Sequence, residues 1–208
     1  ITDNILATNL YNSPKEPSKE FQRGYLYRGL RDTTVYYNEN VTRLTMNYRN
    51  AFLRLALHHL NKNSKKVAAL DSIRNNVKAI EALDSMEAKV PAKVFPLDYR
   101  LMFDIMKFYN IAGATEQYKK YRDELEGKLL ALVKDNGVPP LTQSNPYTML
   151  LTLYDEEGSY QKAIDILNAM NTKYGTMPEY RGIDQQIKMR IAQIQTKMNV
   201  KDSATMMK

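Results

Sequence analysis

Apolar residues recur at steps of three or four positions along most of this 208-residue chain, and this spacing is what most limits its fold. An α-helix has 3.6 residues per turn, so the spacing gathers apolar side chains on one helical face. The first such run begins near residue 38 and comprises Val41, Leu44, Tyr48, Phe52, Leu55 and His59. The strict alternation of apolar and polar residues that is typical of a half-buried strand is not found. The sequence therefore predicts an all-α protein.

Capping residues and prolines divide the chain into about seven predicted helices. Asn38 or Asn40 can cap the first helix, because a short side-chain oxygen accepts a hydrogen bond from a free backbone N–H. Pro91 ends the second helix, and Asn145 followed by Pro146 is a strong start signal for a later one. After the helix that begins near residue 38, the expected helices cover 65–89, 97–112, 115–135, 146–157, 159–174 and 179–198.

Polar segments flank the predicted helices. Residues 1–33 include "NSPKEPSKE", whose two prolines cannot continue a helix, so we expect an extended N-terminal lead that caps the domain. Residues 34–198 form the predicted helical domain. Residues 199–208, "NVKDSATMMK", are polar and end in methionines, and we expect this tail to be flexible.

Three of the predicted helix pairs share one order of residues: a large residue, an apolar pair, an aromatic residue and a turn residue. A small residue follows in two of them, whereas the copy that turns at Gly113 has Tyr118 at that position. In the clearest copy these positions and the apolar residue that follows are Tyr147, Leu150, Leu151, Tyr154, Gly158, Ala163 and Leu167. Tetratricopeptide repeats show this order, although their unit is about 34 residues and the turn residues here are 50 and then 45 positions apart. Stacking completes the core that one helix pair cannot cover alone. We predict tetratricopeptide-like antiparallel helix pairs.

The charge of the chain favours acidic partners or anionic lipid. Lys and Arg number 30 against 23 Asp and Glu, which gives a net charge of +7. The charges are nevertheless scattered, and the densest cluster is "KNSKK" at 62–66. A nucleic-acid-binding protein would concentrate them in a stripe with interleaved aromatic residues. We therefore expect no nucleic acid among the partners, and a solvated helical surface is the simpler interpretation of the charge.

No catalytic or metal-binding pattern is evident in the sequence. The absence of Cys excludes disulfides, thiol nucleophiles and thiolate metal sites. His58 and His59 are adjacent, so on a helix they diverge by about 100° and cannot clamp one metal ion. A glycine-rich phosphate loop, a nucleophile elbow and an apolar run of roughly 20 residues are also missing. We expect no enzyme activity, no metal site and no cofactor for this fragment.

The segment "YRGLRDTTVYYNENVTRLTMNYRNAF", residues 27–52, holds the candidate binding residues, and two interpretations of it remain open. In the first, "YRGL" folds onto the first helix pair as a cap, with Tyr27 and Leu30 covering apolar surface. Arg28 or Arg49 would then pair with an acidic residue such as Glu39 or Asp32, because an unpaired buried charge costs several kcal/mol.

In the second interpretation, basic and aromatic side chains of this segment face a groove for an acidic or sugar-bearing partner. These candidate binding residues are Arg28, Arg31, Tyr36, Tyr37, Arg43 and Arg49. Deleting residues 1–33 separates the two interpretations, since a cap is needed for stability and a groove only for binding.

The same segment, followed by a helix pair and then "PLDYRLMFDIMKFYNIAG", resembles the C-terminal soluble region of a family of bacterial membrane proteins common in the Bacteroidetes and their relatives. In that region an Arg-Gly-Leu motif leads into an acidic or Asn-containing turn, an Asn-Tyr-Arg-Asn helix and tetratricopeptide-like pairs. The matching residues here are Arg28, Gly29, Leu30, Asn47, Tyr48, Arg49, Asn50 and Phe52. The resemblance covers roughly residues 24–125, and the chain departs from the family in the extra length of its predicted 65–89 helix.

The family consists of protein O-mannosyltransferase-like glycosyltransferases of the GT-C type. The resemblance implies a multi-span parent enzyme that uses a lipid-linked sugar donor and whose catalytic residues lie outside this chain. It implies that the chain is an accessory domain on the extracytoplasmic, periplasmic face of a bacterial inner membrane, which binds acceptor protein, glycan or a partner subunit. The first residue is Ile, so we expect a fragment or a processed form. The alternative is a free-standing tetratricopeptide-like adaptor with no transferase attached.

Overall fold

The computed structural model describes residues 3–14, 18–63, 68–135 and 141–206, and over these ranges the chain is helical with no strand. The predicted all-α class is therefore confirmed. Eight α-helices lie in the described ranges, one more than the seven expected. They are α1 (Asp3–Tyr11), α2 (Glu39–Lys62), α3 (Ala69–Lys89), α4 (Tyr99–Ala112), α5 (Thr115–Lys134), α6 (Pro146–Glu157), α7 (Tyr160–Tyr174) and α8 (Ile183–Met206).

Helix starts agree with the capping residues read from the sequence. The Asn38 side chain accepts a hydrogen bond from the Val41 N–H at the start of α2, and the Asn145 side chain accepts one from the Tyr147 N–H at the start of α6. The start of α4 differs by two positions from the prediction, because Asp98 caps it and the helix begins at Tyr99. Each cap supplies an acceptor for N–H groups that have no partner within the helix.

The expected extended N-terminal lead is wrong for the part that forms α1, Asp3–Tyr11. Prolines limit the helix only from Pro14 onwards, and they leave the residues before them free to be helical. The helix buries Leu10 completely and packs against α2, so tertiary contact stabilises it. The expected tail also differs, since α8 continues to Met206 instead of ending at 198.

The predicted single helical domain, residues 34–198, is divided in the structure. Two compact units cover residues 1–123 and 124–208, and the boundary lies within α5. Each unit has its own core, because a pair of helices buries its apolar face against the next helix of the same unit. In the first unit the fully buried side chains include Phe52, Leu83, Met86, Met102, Ile105 and Met106, and in the second Leu150 and Leu153.

The apolar face expected for the second helix is buried only in its later turns. Leu70, Ile73 and Val77 of α3 are 77, 60 and 48% exposed, whereas Leu83 and Met86 are completely buried. The reason lies at the end of α2, where the Asn63 side chain is hydrogen-bonded to Asn75 and Asn76 of α3. The first two turns of α3 therefore extend past the end of α2, and their apolar side chains are not covered by the described part of the chain. Val67, which was expected on the same face, lies outside the described residues.

Gly158 and Ala163 occupy the turn and small-residue positions of the second unit. Gly158 ends α6 with a φ of 66°, the left-handed conformation that the sequence predicts for this turn. Ala163 is 1% exposed in α7, the helix that follows.

Ala163→Leu is expected to destabilise the second unit by about 1–3 kcal/mol, because added methylenes in a filled core force neighbouring side chains to shift. Urea unfolding followed by circular dichroism measures the change in unfolding free energy. Ala192→Leu is the matched control, since Ala192 is exposed on α8. Equal stability of the two variants would show that Ala163 is not at a close helix contact.

Candidate functional site

The "YRGL" segment folds onto α2, with Tyr27 and Leu30 where the capping interpretation places them. Both side chains are only 9% exposed. The Tyr27 ring lies 5.5 Å from the Tyr48 ring and 6.3 Å from the Phe52 ring, and its hydroxyl donates to the Leu10 carbonyl. Burial, with smaller contributions from neighbouring tyrosines, raises the pKa of Tyr27 well above its usual range. Apolar contact and one buried hydrogen bond thus attach this segment to both α1 and α2.

Gly29 turns the segment back on itself. Its φ of 79° lies in the left-handed region, which a residue with a Cβ rarely adopts. The Gly29 carbonyl accepts hydrogen bonds from the Asp32 N–H and from the Tyr37 hydroxyl, and the Tyr37 ring packs against Phe95 at 4.7 Å. The turn thereby holds Arg28 and Arg31 on the exposed side of the cap while Tyr27 and Leu30 face the core.

Lys89, in the last turn of α3, contacts both α1 and the "YRGL" segment. Its ammonium Nζ donates to the carbonyls of Leu10 at 2.7 Å and Tyr11 at 3.1 Å, and it lies 4.6 Å from the centre of the Tyr27 ring. The two carbonyls belong to the last turn of α1, the negative end of that helix dipole, where a cation is favourable. Burial, and then the positive charge of Arg31, lower the pKa of Lys89.

These residues form a cleft of about 350 Å³, which we call the basic cleft. It is lined by Ser13, Pro14, Tyr27, Arg28, Arg31 and Lys89. Three of these six described lining residues carry a positive charge, and none carries a negative one. Positive side chains that converge on one concave surface raise the local concentration of anions. The basic cleft is therefore the candidate functional site of the first unit.

Both interpretations of Arg49 from the sequence are wrong. It was expected either to pair with an acidic residue or to face a groove, but its side chain is completely buried. Its Nε and Nη2 donate to the Val90 carbonyl at 3.3 and 3.0 Å, and Nη2 also donates to the Phe95 carbonyl. Burial lowers the pKa of Arg49, and Glu87 opposes that shift. Arg49 thus holds the connection between α3 and α4, and it is not available to a ligand.

The other candidate residues divide by location. Arg28 and Arg31 line the basic cleft, whereas Tyr36 and Arg43 are exposed and are not among its lining residues. Tyr37 is engaged with the Gly29 carbonyl and serves the turn.

The expected acidic partner Asp32 has a different role. Its carboxylate accepts hydrogen bonds from the Thr34 N–H and hydroxyl, at 2.9 and 2.7 Å. These bonds lower the pKa of Asp32 and close a local turn.

Lys89 is the residue that sequence reasoning missed. The available signal was its position in the last turn of a predicted helix, where basic residues commonly neutralise the helix dipole. Its contact with Leu10 and Tyr11 joins residues 79 and 78 positions apart, and no local pattern indicates such a contact.

Comparison with known protein families, curated proteins and solved structures found no match for this chain. Among the residues with described structure, no helix is long and apolar enough to cross a membrane. The same residues include no group of three or more His, Asp or Glu side chains arranged to hold a metal ion. The site is therefore interpreted from its own geometry and charge.

Proposed function

We propose that this chain is a non-catalytic helical interaction domain whose basic cleft binds an acidic group on a protein or glycan partner. The observation that carries the proposal is the convergence of Arg28, Arg31 and Lys89 on one cleft. α2 supplies a firm base for the cleft, because the lining residue Tyr27 packs against Phe52, a completely buried side chain of this helix. Tetratricopeptide-like pairing of the helices is part of the same proposal.

The electrostatics of Lys89 support an anionic ligand. Burial lowers the pKa of Lys89, and Arg31 lowers it further because the two positive charges repel each other. An anion placed between like charges removes this repulsion and is attracted by both of them. The Lys89 ammonium is also held in place by two carbonyls, so little side-chain freedom is lost when a ligand arrives.

The resemblance of residues 24–125 supports a further part of the proposal, which concerns the parent protein. In this proposal the chain is the soluble C-terminal part of a membrane-embedded O-mannosyltransferase-like glycosyltransferase, on the periplasmic side of a bacterial inner membrane. Reading the coding DNA upstream of Ile1 tests it. An open frame that encodes several apolar spans supports the attachment, whereas a start codon next to Ile1 contradicts it and favours a free-standing adaptor.

Charge reversal in the cleft tests the binding role. We expect a polyglutamate peptide or an acidic polysaccharide to bind the wild-type chain in isothermal titration calorimetry, and Arg31→Glu to weaken binding about tenfold or more. The matched control is Arg43→Glu, because Arg43 is an exposed arginine that does not line the cleft. Equal loss in both variants would indicate attraction to net charge alone and would contradict a site at the cleft. Sugar transfer by the isolated chain would contradict the non-catalytic role.

A further inference from the structure

We propose that the group recognised by the basic cleft is a phosphate dianion, as in a phosphate monoester or a diphosphate, rather than a carboxylate. The inference rests on the proposed function, because it names the chemistry of the acidic group that the cleft binds.

The charge of the lining residues matches a multiply charged ligand. Arg31 and Lys89 line the same cleft and act on each other as neighbouring positive charges. A single carboxylate carries one negative charge and offsets only one of these two cations. A phosphate monoester carries about −1.5 to −2 at neutral pH, and a diphosphate carries more. The ligand that best offsets the charge of Arg31 and Lys89 together is therefore a phosphate.

The donors of the cleft indicate the same ligand. The Lys89 ammonium has three protons, and it already faces two carbonyls and the Tyr27 ring, so it contributes charge more than new hydrogen bonds. The new hydrogen bonds come from the exposed guanidinium of Arg31 and from the Ser13 hydroxyl. A planar guanidinium donates two parallel hydrogen bonds to a phosphate, which retains further oxygens for other donors.

Two sources supply this chemistry: a soluble phosphorylated molecule and the headgroup of a phosphate-monoester lipid. Both present the same terminal phosphate to the cleft, and the cleft is open to solvent on the exposed side of the cap. The experiment has separate arms for the two sources.

The first arm titrates the full 208-residue chain with soluble anions in a calorimeter. Phenyl phosphate and inorganic pyrophosphate are compared with acetate and succinate, since succinate matches the charge of a phosphate dianion without its geometry. We expect phosphate and pyrophosphate groups to bind at least about tenfold more tightly than succinate. Arg31→Glu is expected to remove this binding, and Arg43→Glu to retain it.

The second arm varies pH with phenyl phosphate as the ligand. Its second pKa is near 6, so acidification from about pH 7.5 to pH 5 converts the dianion to a monoanion and is expected to weaken binding. The protein groups of the cleft do not weaken anion binding as pH falls. Lys89 can only become more positive, and Tyr27 remains neutral because its pKa is raised. Glu81, the carboxylate that acts on Tyr11, does not line the cleft. Weaker binding in acid therefore reports the charge of the ligand.

The third arm measures sedimentation of the chain with phosphatidylcholine vesicles that contain phosphatidic acid, against vesicles with an equal fraction of phosphatidylglycerol. Phosphatidic acid presents a phosphate monoester and phosphatidylglycerol only a diester. Binding that depends on phosphatidic acid and on Arg31 supports the proposal with a lipid source. Binding of the soluble phosphates alone supports it with a soluble source.

Two failures are distinguishable. If succinate binds as tightly as phenyl phosphate, or if acidification leaves affinity unchanged, the phosphate assignment is wrong while the cleft remains a site for acidic groups. If neither phosphates, carboxylates nor acidic polymers bind, the proposed function is wrong as well. Thermal unfolding of Arg31→Glu, with an unchanged melting temperature expected for an exposed side chain, confirms that the variant is folded.

Discussion

Arg49→Met is expected to reduce the unfolding free energy of the first unit by about 2–5 kcal/mol. Methionine fills much of the space of the arginine stem but cannot donate to the Val90 and Phe95 carbonyls, and a buried carbonyl without a donor is costly. Glu87, which acts on the buried guanidinium, also loses its positive neighbour. Urea unfolding followed by circular dichroism measures the loss.

Two further variants define the role of the guanidinium. Arg54→Met is the matched control, because Arg54 lies on the same helix with an exposed side chain, and we expect a change within about 0.5 kcal/mol. Arg49→Lys keeps the charge but lacks the fork that reaches two carbonyls, so an intermediate loss is expected. If Arg49→Met and Arg54→Met have the same stability, the connection between α3 and α4 does not depend on Arg49.

Deleting residues 1–33 is expected to destabilise the first unit by at least about 3 kcal/mol, which corresponds to a fall in melting temperature of roughly 10 °C or more. The deletion removes three buried apolar side chains, Leu10, Tyr27 and Leu30, and exposes the surface of α2 around Phe52. It also removes both carbonyls that hold the Lys89 ammonium. Differential scanning calorimetry measures the change.

Point variants separate the capping role of this segment from its binding role. Tyr27→Ala is expected to reproduce part of the loss of stability, and Tyr36→Ala none of it, because Tyr36 is 89% exposed. Arg31→Glu is expected to lose binding without loss of stability. The two interpretations of the segment then apply to different side chains, since buried residues form the cap and exposed arginines face the cleft. A truncated chain that keeps both its melting temperature and its anion binding would contradict both roles.

Local interactions explain which features the sequence determined by itself. The helical class follows from apolar spacing within single segments, and the helix starts at Asn38 and Asn145 follow from hydrogen bonds to residues two or three positions away. The left-handed turn at Gly158 follows in the same way from the lack of a Cβ. These features depend on near neighbours in the chain, so a single sequence contains the information.

Tertiary structure alone decided the features that depend on distant residues. Contact with α2 stabilises α1, and the position at which α2 ends leaves Leu70 and Ile73 exposed. Arg49 is buried, and the carbonyls that accept its hydrogen bonds lie 41 and 46 positions away along the chain. Periodicity did not place Arg49 on the apolar face of α2, and it carried no information about the carbonyls beside its side chain. The basic cleft also depends on residues that are distant in the sequence. The sequence identified Arg28 and Arg31, whereas Lys89 lies beside them because its ammonium donates to the carbonyls at the end of α1. Packing of the helices determines such a long-range contact, and local spacing does not.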